Sequence, residues 1–162
     1  MLTREEKYMR EALKQAKKAY AIGEVPIGAV LVFEDRIIAR GYNRRNTDKS
    51  SLGHAEISVI TKGCKFMKDW RLENCEMYVT VEPCPMCAGA IIQSRVKKVY
   101  YGATNKKAGS VESLIRLFDI DTYNHKVEYE SGVLGSECGQ LMSDFFRDLR
   151  KKKDISLESQ IH

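Results

Sequence analysis

The chain of 162 residues has no long hydrophobic run, no internal repeat and no low-complexity tract. No apolar stretch approaches the ~18 residues of a membrane span, so we expect no membrane association. The first segment, Met1–Ala19, is charged and periodic, and it lacks the hydrophobic core of a signal peptide. The five cysteines are an odd number, which does not suit a disulfide framework. We therefore expect a reducing, cytoplasmic setting.

The composition is that of an ordinary globular protein, with 43% hydrophobic and 30% charged residues. A chain of this length is long enough to bury a hydrophobic core. Because no long linker interrupts it, we expect a single domain over residues 1–152. The polar and basic residues 153–162 are predicted to form a disordered tail.

Helical and strand patterns alternate along the chain. Thr3 and Glu6 predict a capping box at the start of the first helix. Strands that alternate with helices predict an α/β fold, with a sheet between layers of helices. The predicted helices are Thr3–Ala21, His54–Lys65, one that begins at Cys84, Val111–Leu117 and Glu137–Lys151, and the predicted strands are Ile27–Phe33, Ile37–Gly41, Glu76–Val81, Lys98–Tyr101 and Val127–Gly132.

Two short motifs predict a metal site. The first is His54-Ala55-Glu56, and the second, roughly thirty residues on, contains Cys84 and Cys87 at C-x-x-C spacing. A structural zinc site fills four positions with protein ligands, whereas a catalytic site leaves one position for water. The two motifs supply three evident ligands, His54, Cys84 and Cys87, and leave the carboxylate of Glu56 uncommitted. This combination indicates metal-assisted hydrolysis with Glu56 as the acid/base.

Local geometry explains how these residues meet. Residues i and i+2 do not share a face in mid-helix, so His54 and Glu56 converge only if His54 lies at a helix start. Pro85 suits the first position of a helix, which places Cys84 at the cap and Cys87 one turn in. A helix start also favours thiolate over thiol. We expect two helix starts to face one ion.

Two other interpretations of the C-x-x-C pair are weighed against this one. A redox pair would not need the preceding His-x-Glu motif. A closed structural site would need a fourth ligand from Cys64, Cys75 or Cys138. Cys64 lies about 15 Å along the predicted helix from His54, which is too far to share an ion. Cys75 opens a strand whose far end leads to Cys84, and Cys138, although not excluded by distance, is expected in the core.

Basic residues are clustered along the chain, whose net charge is +5. A single cluster is more often a solvated face than a binding site, but several together favour a polyanionic partner such as a nucleic acid. The clusters are Arg44-Arg45, Arg95 with Lys97-Lys98, Lys106-Lys107, and Arg147 with Arg150–Lys153.

His-x-Glu followed by Pro-Cys-x-x-Cys resembles the signature of the cytidine/deoxycytidylate deaminase superfamily. Within that superfamily, the chain from about Glu6 to Arg150 is similar to the bacterial tRNA-specific adenosine deaminases. The segments that carry this similarity are Glu24–Val30, Gly41–Asn43, Thr80–Ala90, Tyr101–Ala103, Asn124–Val127 and Asp144–Arg147.

The resemblance implies a three-layer α/β/α sandwich with a central five-stranded mixed sheet, assembled as a homodimer. It implies one Zn²⁺ per subunit on His54, Cys84 and Cys87, with Glu56 as the proton shuttle. The implied reaction converts adenosine to inosine at the wobble position of an arginine tRNA anticodon, by adding water at C6 and releasing ammonia.

The resemblance also implies a set of substrate contacts. Asn43 matches the residue that holds the flipped base, and the other implied contacts with base or anticodon loop are Ala55, Asn105, Asn124, Phe145 and Arg147. Adjacent helical residues point ~100° apart, so only one of Phe145 and Phe146 is expected to stack on a base. The implied partner is the anticodon stem-loop, and no DNA partner is expected.

A second candidate is a deaminase of a free base or nucleotide, such as guanine or deoxycytidylate. Pro85 stands where the tRNA enzymes often have Val or Ile, and Cys-Pro-Met-Cys also occurs in guanine deaminases. A basic C-terminal helix with Phe145-Phe146-Arg147 favours the RNA substrate, because a small substrate does not need it. A third candidate, a non-catalytic zinc-dependent RNA-binding protein, would not need Glu56.

Overall fold

The computed structural model describes residues 1–161, and His162 lies outside them. Five strands and four helices follow in order, with a short 3₁₀ helix at Leu117–Asp119. The strands are β1 (Gly28–Phe33), β2 (Arg36–Tyr42), β3 (Glu76–Val81), β4 (Lys98–Ala103) and β5 (Glu128–Glu130), and the helices are α1 (Arg4–Ala21), α2 (Ala55–Met67), α3 (Pro85–Gln93) and α4 (Gly135–Ile161).

The strands form one mixed sheet in the order β2-β1-β3-β4-β5. β1 is antiparallel to both β2 and β3, whereas β3, β4 and β5 are parallel. The β1–β2 hairpin turns on Glu34 and Asp35, which both have positive φ, at 50° and 58°. Two such residues match a type I′ turn, whose twist suits a hairpin.

Helices cover both faces of the sheet. Met9 and Leu13 of α1 and Cys138 of α4 share one buried cluster with Tyr78 and Tyr100 of the sheet. On the opposite face, α2 and α3 pack against side chains such as Leu31 and Val79. The predicted three-layer sandwich with a five-stranded mixed sheet is therefore confirmed. None of the helices within residues 1–161 has the length and apolarity needed to cross a membrane.

Two predicted elements differ from the structure. Val111–Leu117 is not a helix but a run of turns, followed by the 3₁₀ helix. Its apolar spacing suggested a buried helical face, yet Leu114 is 59% exposed and Ile115 is 45% exposed. β5 is also shorter than predicted, because the chain leaves the sheet before Gly132, which has φ of 82°.

The C-terminal tail is the third difference. The sequence predicts a disordered tail over residues 153–162, but α4 continues as far as Ile161, and His162 lies outside the described residues. No Gly or Pro follows Gly139, so nothing in the sequence stops the helix. Residues 151–160 are all exposed, so helix propensity rather than packing supports these turns.

Candidate active site

The three predicted metal ligands converge in the structure. His54 Nδ1 lies 3.7 Å from Cys84 Sγ and 3.4 Å from Cys87 Sγ. All three ligand atoms lie within 4.8 Å of one another. A tetrahedral zinc ion, with Zn–N of about 2.1 Å and Zn–S of about 2.3 Å, separates N and S ligands by about 3.6 Å. The spacing of this group therefore suits a zinc-sized ion.

Two helix starts present these ligands, as the sequence predicts. His54 is the N-cap of α2, in extended conformation with ψ of 150°. Cys84 is the N-cap of α3, Pro85 follows at its start, and Cys87 is buried within the first turn. The positive ends of two helix dipoles therefore face the same point, where they stabilise thiolates.

The other three cysteines lie away from this group. Cys138 is buried on the opposite face of the sheet, against α1. Cys64 Sγ contacts the carbonyl oxygen of Trp70, beyond the far end of α2, and the N–H of Cys75 donates to Leu72 there. Among residues 1–161, the grouping that fits a metal ion comprises His54, Cys84 and Cys87 alone. This geometry favours an open site over a closed structural one.

The three side chains of this group differ in their affinity for protons. Hydrogen bonds from Cys87 and from His54 outweigh burial and lower the pKa of Cys84 to about 4. The hydrogen bond to Cys84, together with burial, raises the pKa of Cys87. These shifts favour the thiolate form of Cys84, but the same hydrogen bond between Cys84 and His54 raises the pKa of His54. An arriving cation therefore competes with protons on both Cys87 and His54. Because metal ligands bind deprotonated, metal affinity should fall in acid.

Glu56 has the properties of an acid/base. It is 4% exposed and lies in the first turn of α2, beside the ligand group. Burial raises the pKa of Glu56 to about 7. A general base works best when its pKa lies near the working pH, because it can then both accept and release a proton.

A cavity of about 180 Å³ opens onto the ligand group, and we call it the edge pocket. It lies along the side of the sheet that is formed by the strand ends, where β2 and β3 both end. Its volume is below the roughly 300–1,000 Å³ typical of drug-sized ligand sites, so it suits one small group. It is lined by Val25, Ile27, Asn43, Arg45, His54, Ala55, Glu56, Glu82, Cys84, Asn105 and Ala108.

The structure brings three predicted substrate residues to this pocket: Asn43, Ala55 and Asn105. The Asn43 side chain accepts from the Arg45 N–H (3.1 Å) and donates to the Val25 carbonyl (3.2 Å). One amide N–H and one oxygen lone pair remain for a ligand. Asn105 Oδ1 accepts from the N–H of Ala108 at 3.1 Å, within its own loop.

Asn124 is not brought to the pocket. It is exposed, just before β5, and its neighbour His125 contacts the Val96 carbonyl at 2.7 Å. β5 begins beside Lys98, the first residue of the parallel strand β4, so this loop lies where these strands begin. The edge pocket lies at the opposite end of the strands, where β3 and β4 end. Within one subunit, Asn124 is therefore too far away to contact a ligand in the pocket.

The Phe-Phe-Arg segment divides between core and surface. Phe145 is 6% exposed and packs edge-on against Tyr20, with ring centroids 5.5 Å apart. It therefore offers no face to a ligand. Phe146 is 39% exposed, and Arg147 forms ion pairs with Asp144 and Asp148. Phe146, not Phe145, is the ring available for stacking.

Phe146 lies in a second cavity, of about 610 Å³, which we call the basic groove. The sequence predicted the basic cluster on α4 but not that it faces Lys107, which sits two residues from Asn105 of the edge pocket. The groove is lined by Lys107, Met142, Ser143, Phe146, Leu149, Arg150 and Lys153.

Two buried carboxylates that sequence reasoning missed hold the loops beside the edge pocket. Glu24 is 2% exposed and accepts from the N–H groups of Asn46 (3.2 Å) and Thr47 (2.8 Å). Glu82 is equally buried and accepts hydrogen bonds from the loop that follows β4, on the other side of the pocket. Glu24 and Glu82 stand in segments with no acidic motif of their own, so only the loop contacts reveal their role.

Glu24 leads to a prediction about acid stability. Burial would raise its pKa, but hydrogen bonds from Thr47 and Asn46 outweigh burial, so the pKa of Glu24 lies below its usual range. Such a carboxylate stabilises the folded state above its unfolded pKa of about 4.3, and the contribution is lost as the pH falls below that value. We expect Glu24→Gln to lower the free energy of unfolding by about 1–3 kcal/mol at neutral pH, and by less below about pH 4.

Urea unfolding of both proteins across this pH range measures the effect. Glu73→Gln, at an exposed carboxylate, is the matched control and should change little. A difference between Glu24→Gln and the parent protein that does not vary with pH would contradict the assignment.

Comparisons with known proteins agree with this geometry. A sequence profile of the MafB19-like deaminases matches residues 3–150. A guanine deaminase from Bacillus subtilis superposes with a TM-score of 0.60 at 29% identity, covering 90% of this chain and 93% of that chain. The fold and the site thus define a deaminase.

Other relatives are more similar. The tRNA-specific adenosine deaminase of Bacillus subtilis (strain 168) is 54% identical over 152 residues, 94% of each chain. A structure solved in studies of A-to-I editing by tRNA:A34 deaminases superposes with a TM-score of 0.80 at 43% identity, covering 83% of this chain and 98% of that chain. The chain belongs to the family of tRNA-specific adenosine deaminases.

Proposed function

We propose that this protein hydrolyses adenosine to inosine at the wobble position of a tRNA anticodon, with an arginine tRNA as the expected substrate. The observation that carries the proposal is the convergence of His54, Cys84 and Cys87 beside the buried acid Glu56. Residues 1–152 would form one deaminase domain. The free thiols of the chain suit a cytoplasmic location.

The chain's own residues account for the proton transfers. One Zn²⁺ per subunit, held by His54, Cys84 and Cys87, would activate a water molecule by lowering its pKa. Glu56 accepts the proton that this water loses and delivers it to N1 of the adenine. The water oxygen bonds to C6, and Glu56 moves the second proton of that oxygen to the amine. The C6–N bond then breaks, so adenosine and water become inosine and ammonia.

The edge pocket would hold the flipped base. Ala55 is the first residue of α2, so its N–H has no partner inside the helix. Because Ala55 lines the edge pocket, this N–H is available to a ligand there. The free N–H and lone pair of Asn43 add one donor and one acceptor. Only an unstacked base can enter so small a cavity, which favours a loop nucleotide over a paired one.

The basic groove would hold neighbouring nucleotides. Lys107, Arg150 and Lys153 supply positive charge for phosphates, and Phe146 supplies an exposed ring. Since Lys107 and Asn105 share one short loop, groove and edge pocket are adjacent. A loop nucleotide in the edge pocket would therefore have its neighbours over the groove.

Phe146→Ala tests this contact. Because stacking on an aromatic ring contributes about 1–3 kcal/mol per base, we expect the dissociation constant for an anticodon stem-loop to rise by about 5- to 150-fold. The thermal midpoint should change little, since the ring is partly exposed. Fluorescence anisotropy measures binding, and Leu157→Ala, also on the exposed side of α4, is the control. Unchanged binding by Phe146→Ala would place the RNA elsewhere.

We also propose a homodimer, because Asn124 can meet the substrate only if a second copy supplies it. Exposed apolar residues are available near α3. The 3₁₀ helix Leu117–Asp119 packs against α3, and the segment around it exposes Leu114, Ile115 and Ile120. Trp70 lies beside Arg95, just after the end of α3. The outer face of α3 has open space at Gly89, which allows another helix to approach.

Gly89→Arg tests the dimer. A Cβ at Gly89 meets no other part of its own chain within 4 Å, so the substituted side chain can extend outward and the subunit should fold normally. At a dimer interface the same side chain would clash, so we expect monomers in sedimentation velocity and weaker RNA binding. A monomeric parent protein, or a dimeric variant, would contradict the proposed interface.

The function is tested by incubating the protein with an anticodon stem-loop that bears adenosine at the wobble position, beside free adenosine, guanine and deoxycytidylate. We expect inosine at the wobble position alone. Faster ammonia release from guanine or deoxycytidylate than from the RNA would instead support the free-base or nucleotide activity.

A further inference from the structure

Glu82 is a buried carboxylate that the proposed reaction does not use. It follows β3 directly and precedes Pro83 and the metal ligand Cys84. Only 2% of the residue is exposed, although it lies at the back of the edge pocket. A carboxylate held at such depth must be satisfied by several donors, and these donors identify its role.

All of the donors to Glu82 come from one segment, which we call the 105–113 loop. Oε2 accepts from the N–H groups of Val111 (3.1 Å), Glu112 (2.8 Å) and Ser113 (2.9 Å). Oε1 accepts from the Asn105 N–H at 3.1 Å and from the Ser113 hydroxyl. Four backbone amides, from both ends of the loop, therefore point at one side chain.

Gly109 closes this arrangement. A Cβ at Gly109 would lie 2.5 Å from Glu82 Oε1 and 2.4 Å from the Asn105 carbonyl oxygen. The backbone therefore passes directly over the carboxylate, at a distance that only glycine permits. The N–H of Ser110 also donates to the Pro83 carbonyl at 2.9 Å, which joins the loop to the segment that carries Cys84.

The loop in turn carries residues of both ligand sites. Asn105 and Ala108 line the edge pocket, and Lys107 lines the basic groove. The Asn105 side chain is oriented within the loop by accepting from the N–H of Ala108. Glu82 therefore fixes the position of three residues that would face the substrate, while both of its own oxygens are engaged by the loop.

We propose that Glu82 is a positioning residue for the deaminase reaction. Its carboxylate holds the 105–113 loop so that Asn105 and Ala108 form one wall of the edge pocket and Lys107 faces the RNA. The proposal rests on the proposed function for the identity of the substrate, but the placement of the loop rests on the contacts alone.

Two variants test it. Glu82→Gln keeps the size of the side chain but turns an NH₂ group toward N–H donors, because an amide has only one acceptor oxygen. Gly109→Ala leaves the charge intact and pushes the loop away from the carboxylate. We expect both variants to raise KM for the stem-loop, to lower kcat/KM by about 10- to 100-fold, and to change kcat much less.

Zinc content and amide hydrogen exchange separate positioning from loss of structure. Zinc should stay at one ion per chain, and exchange should accelerate at residues 105 and 111–113 ahead of the rest of the chain. Glu112→Gln, which alters a side chain bonded to Tyr101 in the same loop, is the control and should keep the parent KM.

Three results would overturn the proposal. They are unchanged KM and kcat in the folded variants despite a lower melting temperature, loss of zinc in proportion to activity, and unaltered exchange in the loop. If the parent protein deaminates a free base instead of RNA, the proposed function fails. KM for that base and the exchange rates then still test the role of Glu82.

Discussion

Replacing Glu56 by alanine or glutamine is expected to lower the deamination rate by about 100- to 10,000-fold while zinc and RNA remain bound. The side chain is 4% exposed and lies against the ligand group, so no bulk water can take over its proton transfers. Burial raises the pKa of Glu56 to about 7, which allows it to accept and return a proton near neutral pH. Glutamine keeps the shape but cannot carry the proton.

Single-turnover assays with a wobble-adenosine stem-loop measure the rate, and zinc analysis and anisotropy check the two binding events. Glu73→Gln, an exposed carboxylate, controls for a change of charge. Turnover near the parent rate in Glu56→Gln would assign the proton transfers to another group. Loss of zinc in the same variant would show that Glu56 acts on the metal instead.

Cys87→Ala is expected to lose both the metal and the activity. Replacing a residue that only hydrogen-bonds to a metal ligand already weakens metal binding by about 10- to 100-fold. Removing a ligand itself should therefore weaken metal binding by more than about 100-fold. None of the other cysteines, all within residues 1–161, lies near enough to take the place of Cys87. Cys64 and Cys75 lie at the far end of α2, and Cys138 lies on the opposite face of the sheet.

Cys138→Ala is the matched control. Cys138 is as buried as Cys87, at 1% exposed, but it packs against α1 and not against His54. We expect this variant to keep one zinc per chain and near-parent activity, with some loss of stability from the small cavity. Zinc retained by Cys87→Ala, or lost by Cys138→Ala, would mean that the ligand set is wrong.

The convergence of His54, Cys84 and Cys87 could be predicted from the sequence because the geometry that produces it is local. C-x-x-C spacing, Pro85 and the position of His54 before an apolar pattern each specify a helix start, and the structure has both. The alternation of helices and strands likewise specified the three layers. These features depend on residues that are close along the chain, where spacing determines direction.

Features that depend on distant contacts could not be predicted. The segment Val111–Leu117 has apolar spacing typical of a helix, but its first amides bind Glu82, about thirty residues earlier. Which of Phe145 and Phe146 is buried depends on where α4 meets Tyr20 of α1. Neither contact leaves a pattern in the sequence near the residues concerned.

The position of Asn124 shows a different limit. The resemblance implies an RNA contact for this residue, yet its loop lies at the opposite end of the strands from the edge pocket. A single chain cannot satisfy both observations, whereas two chains can if the second contributes Asn124. A role for Asn124 in RNA binding would therefore depend on a second subunit, which the sequence of one chain does not describe.

Zinc titration of the metal-free protein, with inosine formation in a wobble-adenosine stem-loop as the readout, tests the central claim most directly. We expect no inosine without metal, a rate that rises in proportion to bound zinc, and saturation at one ion per chain. Full activity in protein shown to contain no metal would contradict the assignment of His54, Cys84 and Cys87 as the reactive centre.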